Sequence, residues 1–175
     1  MPIVISLEWR LCLGFREQIN MPSIGVRAFD MSPEQEAVWE PLFSAARQML
    51  ERGDGSAALE SARSAWNALP EPKLHCSMAY ITLMRFARAC EVAKAHREGI
   101  DILDWAVATT PFQNNIPVFL VQKGILLFHS GEQATAREAF ARSWALAKDF
   151  GFRGEDPKYL ALLGYGFSKG ERGDD

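Results

Sequence analysis

Three histidines, three cysteines and scattered carboxylates are the residues from which this chain would have to build catalytic or metal chemistry. His75, His96 and His129 lie far apart. No two stand at the i, i+4 spacing that puts two imidazoles on one helix face, and none belongs to an H-E-x-x-H run. Cys12, Cys76 and Cys90 share no metal-ligand spacing. Cys76 and Cys90 are expected in one helix as small core residues. Glu34, Glu36 and Glu40 fall on one exposed helix face, which argues for solvation rather than acid–base work. There is no G-x-S-x-G, no Walker A loop, and no G-x-G-x-x-G after a strand. Gly164-Tyr165-Gly166 has no helix after it and cannot cradle a phosphate. The expectation is a protein with no catalytic residue, no metal and no cofactor.

Composition narrows the class further. The chain has 175 residues, enough for one domain with a sizeable core, and it is 48% hydrophobic and 23% charged. A net charge of -3 and the lack of a Lys/Arg stripe point away from nucleic acid. Trp39, Trp66, Trp105 and Trp144 are therefore expected in the core, not on a base-stacking platform. No apolar run of about 18 residues exists, so no membrane span is expected. The apolar start MPIVISLEWRLCLGF is broken by Glu8 and Arg10 and does not read as a signal peptide. The odd cysteine count fits a reducing, cytoplasmic setting.

Helical periodicity dominates from residue 32 onward. Residues 1–31 read as an irregular segment, with Val4–Leu7 as a short strand. Residues 1–20 are either an extension upstream of a start at Met21 or an element that docks on the domain. Ser32-Pro33-Glu34-Gln35 is a capping box with proline in the first turn. The helix it opens carries Val38, Trp39, Leu42, Phe43, Ala46, Met49 and Leu50, with a kink or restart expected at Pro41. Helices follow over about 56–69, 73–96, 96 or 99 to 109, 117–128 and 133–150, and a short one over 158–163; the break between the third and fourth is poorly marked and falls near Lys94–Arg97. Pro70, Pro72 and Pro111 act as stop signals, and Phe112–Asn115 forms a loop. The domain is expected to cover 32–167, with 168–175 as a flexible tail.

These helices pair into hairpins with a shared grammar. Gly53-Asp54 precedes Ala58, Ala62, Ala65 and Pro70. Gly131-Glu132 precedes Ala136, Phe140 and Ser143. The middle hairpin offers Ala87, Gly99, Leu103, Ala106 and Pro111. The pattern resembles the tetratricopeptide repeat, a helix-turn-helix unit of about 34 residues. Gly124, Ala46 and Ala87 match the small residue of its first helix. Ala58, Gly99 and Ala136 match the small residue of its second, and Pro70 and Pro111 match its closing proline. Lys148 departs from that proline, and Pro70 and Pro111 lie 41 residues apart, longer than the family's period. The resemblance covers about residues 33–150 and is weakest in the middle hairpin. It implies an all-α fold: a right-handed stack of about three hairpins plus a C-terminal capping helix bearing Tyr159, Leu160 and Leu163.

In that family the first helix of each pair lines a groove that holds a partner. Here the face would carry Phe43, Arg47, Ile81, Met84, Arg85, Arg88, Val121, Gln122 and Phe128. Arginine and aromatic anchors suit protein recognition. The family's clamp for a peptide carboxylate needs an asparagine set that these first helices lack. The stretch Gly154–Leu160, GEDPKYL, is similar to endings of short bacterial proteins with this repeat, some of which look like toxin immunity proteins. The resemblance thus implies a non-enzymatic module that binds one protein partner, a toxin to be neutralised. The alternative is a secretion-system chaperone or general adaptor of the three-repeat class holding a secreted client. A small-ligand-binding or enzymatic helical domain is a more distant alternative. Oligomeric state is left open.

Overall fold

A computed structural model describes residues 27–164. Among them are seven α-helices: α1 (Pro33–Glu51), α2 (Gly55–Ala68), α3 (Ala79–Val92), α4 (His96–Thr109), α5 (Ile116–His129), α6 (Gln133–Ala147) and α7 (Pro157–Ala161). The fold is all-α. Val4–Leu7, the alternatives for residues 1–20 and the tail 168–175 lie outside the described residues.

The first helix starts where its capping box dictates. The Gln35 backbone N–H donates to Ser32 Oγ (3.3 Å), and the Ser32 N–H donates back to Gln35 Oε1 (2.9 Å). α1 then runs through Pro41 without interruption, so no restart occurs there. Asp54 caps α2 by accepting from the Ala57 N–H (3.1 Å).

Three hairpins, α1–α2, α3–α4 and α5–α6, turn in the same way. Each first helix ends in a left-handed residue: Gly53 (φ +75°), Lys94 (φ +58°) and Gly131 (φ +91°). The next backbone N–H reaches back five residues: Asp54 to Met49 O, Ala95 to Cys90 O, Glu132 to Leu127 O, at 2.8–2.9 Å. This is the Schellman closure, which satisfies helix-end carbonyls. Seven residues before each left-handed residue stand Ala46, Ala87 and Gly124; five after it stand Ala58, Gly99 and Ala136. All six are buried. They are small because the partner helix is close. A Cβ on Gly124 would sit 2.4 Å from the Phe140 ring, and one on Gly99 2.6 Å from Leu126 Cδ1.

Each of α1 to α5 packs on the next, and α3 also touches α1 and α5, so α1, α3 and α5 lie side by side, while α7 packs on the segment that follows α6. α1 and α3 are joined inside the core by Trp39, whose indole N–H donates to Thr82 Oγ1 (3.0 Å), while the Thr82 hydroxyl donates to Met78 O (2.7 Å). Phe119, Phe140 and Phe152 are fully buried at the C-terminal end of the stack.

Three helices are shorter than the periodicity predicts: α3, α6 and, by two residues at its end, α7, which stops at Ala161. The stretch from Lys73 to Ser77 is not the start of α3. It holds a 3-10 turn, Lys73–His75, and a parallel bridge in which the Phe29 N–H donates to His75 O and the Ser77 N–H to Phe29 O, both 2.9 Å. The upstream strand-like segment takes the backbone groups that a helix would need, and Phe29 and Met31 pack against the core. Cys76 therefore lies outside the helix that carries Cys90; both are buried. α6 ends at Ala147, not Phe150, because Lys148 takes φ +54° and the chain continues as a 3-10 turn, Lys148–Phe152. Gly151 in that turn passes so close to α5 and α6 that a Cβ would meet Ser143 Oγ at 2.5 Å. Trp39 and Trp66 are core residues, Trp144 is half-buried, and Trp105, against expectation, is 42% exposed, its ring edge-on to Trp66.

Candidate functional site

The short α7 folds back over the ends of α3 and α5. Asp156 caps it by accepting from the Lys158 N–H (2.9 Å), and Tyr159 and Leu160 are buried against the core. Between α3, α5 and residues 154–159 lies a cleft of about 540 Å³. α3 contributes Met84, Arg88 and Glu91. α5 contributes Gln122 and His129. The C-terminal stretch contributes Gly154, Glu155, Asp156, Lys158 and Tyr159.

The cleft's side chains are linked across long sequence separations. The Gln122 amide donates to Glu155 Oε1. His129 Nε2 lies 2.8 Å from the Tyr159 hydroxyl and 3.7 Å from Glu91 Oε1. Glu91 pairs with Arg88, and Lys158 pairs with Asp156 at 2.9 Å while lying 4.8 Å from the Tyr159 ring centre. Phe128 supports Tyr159 from behind, edge-on, with ring centroids 5.7 Å apart. Three carboxylates therefore meet one guanidinium and one ammonium.

The electrostatics follow from burial. Desolvation pushes the Glu155 carboxyl above its ordinary range; Arg88 opposes this and Glu91 adds to it. Burial likewise raises the Tyr159 phenol. Asp156 is held below the usual carboxylate range by the Lys158 backbone N–H and then by its side chain. Burial pushes the Cys90 thiol up to about 12, so it stays protonated and unreactive at neutral pH.

The nine residues predicted from helical spacing divide into three groups. Met84, Arg88 and Gln122 line the cleft, with Phe128 behind its wall. Phe43, Arg47, Ile81 and Arg85 do not line it; they lie on α1 and α3. There the Arg85 guanidinium sits 3.6 Å from the Phe43 ring centre and donates to Phe43 O (3.1 Å), Ile81 is half-buried, and Arg47 faces Glu51 at 3.8 Å. Val121 is a correction. It is 0% exposed, sealed under Gly151, and belongs to the core rather than to any binding face.

Glu91, His129, Glu155 and Tyr159 escaped the sequence reading as site residues. His129 belongs to no histidine motif, yet in the fold it bridges toward both Tyr159 and Glu91. Its only sequence signal was its place at the end of α5, beside the turn that the C-terminal segment covers.

Among the described residues, no group of three or more His, Cys, Asp or Glu side chains is arranged to hold a metal ion. No helix among them is long and apolar enough to cross a membrane. No family model, no curated protein and no solved structure matches this chain.

Proposed function

We propose that the three hairpins are tetratricopeptide-like repeats stacked with a right-handed twist, and that the chain is a non-enzymatic module that grips one protein partner. The repeat reading draws support from the equal spacing of left-handed turn residues and buried small residues in all three hairpins. The binding reading rests on one observation. Gly154, Glu155, Asp156, Lys158 and Tyr159, from the stretch similar to endings of immunity-type repeat proteins, line the same cleft as Met84, Arg88 and Gln122, chosen independently as partner contacts. The favoured partner is a toxin, neutralised because the module covers its working surface.

A photo-crosslinking amino acid at Arg88, with another at exposed Arg142 on α6 as control, tests this in cells. The expected result is one adduct from position 88 and none from 142, with the adduct's protein toxic when expressed alone and harmless with this chain. A secreted client as the adduct would replace the immunity reading with the chaperone one. Equal crosslinking from both positions, or none from 88, would sink the cleft assignment.

A further inference from the structure

Two of the cleft's three carboxylates have a cationic partner: Glu91 has Arg88, and Asp156 has Lys158. Glu155 does not. Among the described residues, no Lys, Arg or His nitrogen lies within ion-pair distance of it, and its side chain accepts from the neutral amide of Gln122. Gln122 is 6% exposed and fixed on α5, so it holds the carboxylate at the cleft rather than letting it swing into water. A neutral glutamine at 155 could accept the same hydrogen bond, so the negative charge is not needed to hold the segment.

That charge is unfavourable as it stands. A carboxylate taken out of water needs a compensating cation, or it becomes harder to ionise. Arg88 supplies some compensation, Glu91 opposes it, and the net result keeps the Glu155 carboxyl above its ordinary range. The missing counter-charge has room to enter, because the cleft in front is about 540 Å³ and open. Met84 offers an apolar wall along which an alkyl stem can lie. A flexible stem with a charged head is the chemistry of lysine and arginine.

We propose that the cleft takes a lysine or arginine side chain, its stem along Met84 and its cation at the Glu155 carboxylate, with Glu91 as the second negative group. That the side chain is carried by a protein partner rests on the reading above; the cation preference does not. Anionic groups are disfavoured, since both cations of the cleft are already paired within it. Truncating one member of a buried charge pair weakens binding by roughly tenfold or more.

The test uses the full, isotope-labelled chain. N-acetylarginine amide and N-acetyllysine amide are titrated in while the Gln122 side-chain amide resonances are followed, with N-acetylnorleucine amide and N-acetylglutamate amide as controls. The expected result is a saturable shift with the two cationic probes only, weakened by added salt. Glu155→Gln should weaken it at least tenfold, and Glu91→Gln less. Because Glu155→Gln removes a half-buried charge with no cationic partner, it is expected to fold and to melt no lower than the wild type. An equal response to norleucine or glutamate, no saturable shift with the cationic probes, or unchanged affinity in Glu155→Gln would each overturn the proposal. Cation binding without any adduct from position 88 would keep this proposal and remove the protein-partner reading. An adduct from position 88 whose yield is unchanged by Glu155→Gln would do the reverse.

Discussion

Substituting Gly124 by alanine tests the contact that sets the position of α5, and with it Gln122 and His129. In an open helix interior the change stabilises by about 1 kcal/mol, because glycine is a poor helix former. Here the added methyl would lie 2.4, 2.6 and 2.9 Å from three carbons of the Phe140 ring. Comfortable carbon contacts are about 3.5–4.0 Å, so the helices must part by about 1 Å or the ring must move. The ring has nowhere to go. Phe140 is 0% exposed and packs on Phe152 and Tyr159, with centroids 5.7 and 5.6 Å away. Overpacking of this kind costs about 1–3 kcal/mol.

Overpacking exceeds the propensity gain, leaving a net loss of about 1 kcal/mol and a fall of roughly 2–4 °C in Tm. Urea denaturation followed by circular dichroism measures it. Because Phe140 also touches Tyr159, the Tyr159–His129 contact should loosen, seen as a shift of the His129 ring resonances. Pairing Gly124→Ala with Phe140→Leu should cost less than the sum of the two changes, since the methyl then occupies space the ring has left. A Gly124→Ala protein more stable than the wild type would refute the close approach of α5 and α6, and with it the registration of the cleft.

Lys94→Gly should stabilise the chain by about 0.5–1 kcal/mol, because Lys94 is exposed and holds a left-handed φ that glycine adopts freely; an unchanged or lower urea midpoint would count against that turn. Thr82→Val strands the Trp39 indole N–H in the core and should cost about 1–3 kcal/mol, read from the same melts. Ser32→Ala removes the capping box and should cost about 0.5–2 kcal/mol. Glu155 has its folded pKa raised, so its contribution to stability is complete below the ordinary carboxyl pKa of 4.5 and is lost as pH rises through the raised value. Glu155→Gln should remove that loss, so its stability relative to the wild type should climb as pH rises from about 4.5; a flat difference across that range would contradict the burial argument.

The hairpins at both ends were legible because their turns use glycine. Gly53 and Gly131 advertise a left-handed residue, and the buried small positions follow at fixed distances. The middle turn makes the same hydrogen bonds, but Lys94 occupies the left-handed position. A lysine carries no turn signal, so the boundary between α3 and α4 could be placed only within a few residues. The misplaced start of α3 has a different origin. Residues 73–78 have helical periodicity, yet Phe29, some 47 positions upstream of Cys76, claims their backbone groups. Local pattern holds no trace of such a partner.

The site was half legible for a related reason. Helical spacing finds a face on the assumption that a helix has one buried side and one wet side. That holds for α3, where Met84, Arg85 and Arg88 are at least partly open. It fails for α5, which is enclosed by its neighbours, the 3-10 turn and α7, so that Phe119 through Gln122 and Gly124 through Leu127 are all buried. Val121 was thus assigned to a surface that does not exist, while Gln122 reaches the cleft only because Glu155 meets it from 33 residues away. In sequence, Glu155 sits between Gly154 and Asp156-Pro157 and reads as a solvated loop. The fold turns Glu155 of that loop partly inward while its neighbours stay exposed, since Phe152 on one side and Tyr159 on the other are anchored in the core and leave the intervening residues a short path beside α3 and α5. Apolar anchors that bracket a polar stretch therefore mark where a loop is held against the protein, and the charged residue between them is the one to test for binding.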